Sequence, residues 1–161
     1  MVEPDPRVRG HDRSGGMGLA MRHSHPHAFK SRYYLERDGW DAAVKVDWDG
    51  NRNPITRRAL RALRAYLDGR RVVVTRAEVY RTAKGWHLRA WTSRPLGPHE
   101  TLRAQAAAED DPVRQKFNRC RVRRREDFWN VLWNEKHRNG RLIYREESEP
   151  AWTETARRIL Q

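Results

Sequence analysis

The chain has 161 residues, with 34 Lys and Arg against 21 Asp and Glu and a formal charge of +13 at pH 7. This length suits one domain with a real core, and the charge makes nucleic acid the expected partner. A single cysteine, Cys120, excludes an internal disulfide and any multi-cysteine zinc site. No stretch approaches the roughly 18 apolar residues of a membrane helix, and MVEPDPRVRG has no apolar signal core, so the expected setting is the cytoplasm with no membrane partner.

In chain order, residues 1–28 mix Pro, Gly, Ser, Arg and His with few apolar side chains and read as a disordered basic tail. His23, His25 and His27 alternate there, but without carboxylate or cysteine neighbours they read as solvated side chains. Residues 29–161 read as a single domain. After a short element at YYLER, the run 42–49 predicts a strand that sends Val44, Val46 and Trp48 to one side and Lys45, Asp47 and Asp49 to the other. A helix over 54–68 follows, with Asn53 as its cap, Pro54 at its first position and Gly69 at its end. Strands over 71–81 and 86–93 form a hairpin around AKG, with His87, Arg89 and Trp91 on one face and Trp86, Leu88 and Ala90 on the other.

ETLRAQAAAEDD predicts a short helix. A second helix over 112–125 is capped by Asp111, with Val113, Phe117 and Cys120 as its apolar stripe. Its other faces carry Arg114, Lys116, Arg119, Arg121, Arg123, Arg124 and Arg125, the expected contacts to a nucleic-acid backbone. Residues 128–147 predict a hairpin turning at Asn139-Gly140, and PAWTETARRILQ predicts a final amphipathic helix. The expected class is α+β.

Two carboxylates on one strand face repel unless a cation lies beside them. Oxygen-only ligands suit Mg²⁺ or Mn²⁺, which such pairs hold together with substrate phosphates. With the apolar faces packed on one helical layer, Lys45, Asp47, Asp49, His87 and Arg89 would share an open face suited to a triphosphate. Gly85 would let backbone approach closely, Lys84 adds a cation, and Trp91 is the tryptophan placed to stack a base.

VKVDWDG, then a helix and a strand, then KGWHLRAW resembles the first two motifs of the archaeo-eukaryotic primase superfamily. The resemblance covers residues 42 to 92. It implies an RRM-like sheet backed by helices, metal-binding carboxylates at Asp47 and Asp49, and His87 on the phosphates of an incoming nucleoside triphosphate. It also implies DNA or RNA, most naturally single-stranded, and replication proteins as partners. The usual motif serine is replaced by Ala83-Lys84. Where the family has a third acid, Phe117-Asn118 offers an amide, and Asp110, Asp111 and Asp127 are the nearby carboxylates. The same residues also suit a non-catalytic RRM-like nucleic-acid-binding module, a ribonucleoprotein scaffold, or an Asp-x-Asp nuclease.

Overall fold

The computed structural model describes residues 32–36, 43–50, 55–126 and 129–161. The predicted tail, its histidines, Asn53, Pro54 and Asp127 lie outside them. In order, the elements are β1 (Arg32–Glu36), β2 (Val44–Asp49), α1 (Arg57–Asp68), β3 (Val74–Arg81), β4 (Gly85–Thr92), α2 (Pro98–Ala107) and α3 (Pro112–Arg123). They continue with β5 (Trp133–Arg138), β6 (Arg141–Arg145), β7 (Glu147–Ser148) and α4 (Pro150–Leu160). The class is α+β, as expected. No helix among the described residues is long and apolar enough to cross a membrane.

One antiparallel sheet has the order β2-β4-β3-β7, and a smaller one the order β1-β5-β6. In the larger sheet β4 lies between β2 and β3, which α1 connects, so the unit is a split βαβ. Val44, Val46, Trp48, Val79, Leu88 and Ala90 form the helix-facing side of this sheet and pack on α1, α2 and α4. Helix α1 presents Ala59, Leu60, Leu63 and Leu67 to it, the stripe that a 3.6-residue period dictates. Its cap is Thr56, whose hydroxyl accepts the Ala59 N–H at 3.0 Å, so the helix starts later than the expected 54.

Two expectations fail for the same reason. Residues 129–132 lie outside the strand predicted from 128, and β5 begins only at Trp133. The buried Asn130 donates to Ala43 O at 2.9 Å and accepts from Gln105 at 2.7 Å, which ties this segment to β2 rather than to a ladder. Helix α3 is likewise turned over: Val113, Phe117 and Cys120 are exposed, whereas Gln115 and Asn118 are buried. Its inward face meets polar groups, Gln105 of α2 and Asp110, so hydrogen bonding decides the docking. The hairpin turn forms as predicted, with Asn139 and Gly140 at φ 51° and 74°. The hairpin joins β1 in the second sheet instead of extending the first.

Gly85 is required by strand packing. A Cβ there would sit 1.8 Å from the Trp48 carbonyl oxygen, so the close approach expected for a phosphate is made by β2 itself. Gly85→Ala should destabilise the fold by about 3 kcal/mol through this backbone clash, read as a lower urea midpoint at unchanged slope.

Candidate functional site

Strands β2 and β4 pair Lys45 with Arg89, Asp47 with His87 and Asp49 with Gly85. Cross-strand partners share a face, so Lys45, Asp47, Asp49, His87 and Arg89 lie on one side of the sheet, as the period of two requires. That side is not open. Lys45 and Arg89 are 0% exposed and His87 only 7%. Arg89 donates to both oxygens of Glu146 at 2.9 and 3.0 Å and to Leu132 O at 3.2 Å, and its guanidinium lies 5.0 Å from the Tyr80 ring centre. The expectation that Lys45 and Arg89 meet phosphates therefore gives way to a structural role, because segments 129–132 and 144–146 cover the inner half of this face.

Glu146 is the residue that sequence reasoning missed. It also hydrogen-bonds Nδ1 of His87, which leaves Nε2 aimed at Asp47, 3.6 Å from Oδ1. Burial raises the Glu146 pKa, but the His87 hydrogen bond and the Arg89 charge outweigh it and hold the carboxyl below its usual range. Glu146 lies between β6 and β7, outside both strands, and Leu142 is exposed, so strand alternation gave no signal for it.

Glu146→Gln leaves Arg89 buried beside a neutral amide and should cost about 3–5 kcal/mol of stability near neutral pH. A depressed carboxylate contributes fully above its unfolded pKa, 4.5, and loses that contribution as pH falls through the folded value. Urea denaturation should therefore show the gap between wild type and variant narrowing below pH 4.5.

Asp47, Asp49 and His87 open onto a cleft of about 650 Å³ between the sheet, α3 and the β5–β6 hairpin. Lys84 lines it from the β3–β4 turn, Asp111, Phe117 and Arg121 from α3, and Lys136, Ile143 and Tyr144 from the hairpin. Burial raises the Asp47 carboxyl, the charges of His87 and Arg114 oppose this, and Asp111 and Asp49 add to it. Asp110 is committed elsewhere: it accepts the Asp47 backbone N–H at 2.7 Å, Arg114 at 2.8 Å and Gln115 at 2.7 Å. Burial raises its carboxyl too. Asp111 caps α3 as expected, accepting the Arg114 N–H at 2.7 Å.

The oxygen-only pair of Asp47 and Asp49 fits Mg²⁺ or Mn²⁺ with part of its shell left for water and substrate oxygens. No group of three or more His, Cys, Asp or Glu among the described residues could hold a metal ion by itself. No family model, curated protein or solved structure matches the chain.

The remaining expected contacts divide. Lys116, Arg119, Arg123, Arg124 and Arg125 are exposed and lie outside the cleft lining. Arg121 lines the cleft, 3.8 Å from Glu126. Arg114 is half-buried, donating to Lys45 O at 3.0 Å and to Asp110, so it holds the helix down rather than reaching outward. Trp91 is not beside the acidic pair. It lies at the far end of β4, under the Arg76 guanidinium at 4.4 Å, and does not line the cleft.

Proposed function

We propose that the cleft binds a nucleoside triphosphate for nucleotidyl transfer on a nucleic-acid template, in the manner of a small primase-polymerase with an RRM-like sheet. The observation that carries this reading is the Asp47–His87 cross-strand pair, 3.6 Å apart, facing a cleft that Lys84, Arg121 and Lys136 also line. The β2-α1-β3-β4 unit and its strand order support the RRM-like part.

Asp47 and Asp49 would hold Mg²⁺ or Mn²⁺, which when bound supplies charge neutralisation at the phosphates and lowers the pKa of a hydroxyl attacking phosphorus. Glu146 fixes the His87 ring through Nδ1, so Nε2 faces the cleft without rotamer freedom left to lose, and in its imidazolium form it donates to an anionic oxygen. Lys84, on an exposed turn at the cleft, adds a mobile cation for the outer phosphates. Single-stranded DNA or RNA lies along the exposed cations of α3, and replication proteins are the natural company of such an activity.

A non-catalytic RRM-like binding module is the second reading, favoured by one observation: Asn118, at the expected third-acid position, is an amide buried against Gln105. Titration of a fluorescent nucleoside triphosphate with Mn²⁺ and with EDTA separates the two. Nucleotidyl transfer requires metal-dependent binding that weakens about tenfold or more in Asp47→Ala, the loss of roughly one charged contact. Binding equal in both proteins and indifferent to EDTA selects the module. Under either reading, Arg119→Ala with Arg123→Ala should weaken single-strand binding and flatten the log K against log salt slope by about 0.7 per arginine.

A further inference from the structure

The overturned helix leaves an apolar surface inside the cleft. Val113 and Phe117 of α3 are 55% and 56% exposed, and Ile143 of β6 is 52% exposed. All three line the cavity that holds Asp47 and His87. Large apolar groups concentrated in a concave site mark a ligand surface, since scattered ones would lie anywhere on the molecule.

Their order along the helix gives the ligand a direction. The Asp111 N–H donates to Asp47 O at 2.9 Å, which fixes the start of α3 beside the acidic pair. At about 1.5 Å per residue, Phe117 lies roughly 9 Å further along the axis. The end of the cleft beside the acidic pair carries His87 and Lys84, and along α3 the exposed apolar lining is Val113 and Phe117, with Arg121 one turn beyond. A ligand with an anionic end and a flat apolar end matches both parts.

We infer that Phe117 stacks the base of the nucleoside triphosphate, against Ile143 on the opposite wall, with the phosphates toward His87 and Lys84. This rests on the triphosphate reading above and adds the orientation and the base site. A ring face and methyl groups accept any base, so discrimination follows stacking area, with purines ahead of pyrimidines. A cavity of about 650 Å³ is the size of a single small ligand, and Lys116, Arg119 and Arg123 lie outside it, which places a strand on the outer face of α3 instead.

Calorimetric titrations in Mn²⁺ of ATP, CTP, inorganic tripolyphosphate and a single-stranded oligonucleotide test this on wild type, Phe117→Ala, Phe117→Trp and Asp47→Asn. The expected result is that Phe117→Ala weakens ATP by about 5- to 150-fold and CTP by less, leaves tripolyphosphate unchanged, and is rescued by Phe117→Trp. Unchanged tripolyphosphate binding also shows that the variant is folded. ATP binding insensitive to Phe117→Ala overturns the stacking role while Asp47-dependent tripolyphosphate binding keeps the triphosphate reading. Equal losses for ATP and tripolyphosphate make Phe117 a packing residue, and a loss confined to the oligonucleotide makes it a strand contact; either overturns the inference. Triphosphate binding that is absent, or the same in Asp47→Asn, removes the underlying reading and the inference with it.

Discussion

The outer edge of β2 has peptide groups that no strand among the described residues pairs, and the surrounding segments are organised around satisfying them. Asn130 donates to Ala43 O, Gln105 and Arg114 donate to Lys45 O, and Asp110 accepts from Asp47 N–H while the Asp111 N–H donates to Asp47 O. An open edge of this kind would template pairing with another chain, and a buried one would leave polar groups unpaired at about 1–3 kcal/mol each. Sealing it with side chains fixes the α2–α3 turn, the start of α3 and the 129–132 segment together. Those three pieces are also walls of the cleft.

The seal explains why α3 presents an inverted surface. Asp110 is a buried carboxylate that must be fully hydrogen-bonded, and Arg114 and Gln115 from the first turns of α3 supply the donors. Turning those residues inward turns Val113 and Phe117 outward into the cleft. The apolar wall of the site thus follows from a polar requirement at the strand edge. Trp48 completes the attachment by donating its indole N–H to Ala108 O at 2.8 Å.

On the same side of the sheet as the cleft, a second buried polar group positions the histidine. Glu146 neutralises Arg89 and orients His87, so the histidine that lines the cleft is held from behind by a charged pair. The hairpin and β7 that flank Glu146 are what bring it there, joining the small sheet to the large one. Burial raises the Tyr144 phenol on the cleft side, with Glu146 and Asp47 adding to the shift and Arg89 opposing it.

Much of the fold was legible in the sequence because its signals are local. Alternation in VKVDWD and GWHLRAW decides which side chains share a face, and apolar spacing decides the inward stripe of α1. The same alternation placed Asp47, Asp49 and His87 together, since strand period and antiparallel pairing leave little freedom. What the sequence could not decide is which face is covered and by what. Lys45 and Arg89 look like solvent-facing cations until Glu146, more than fifty positions away, closes over Arg89. Phe117 looks like core until Asp110 claims the opposite face of its helix. Trp91 shares its face with His87 yet lies at the other end of β4. Burial, pairing and distance along an element are long-range properties, and a buried charge satisfied from a distant segment leaves no periodic trace in the chain.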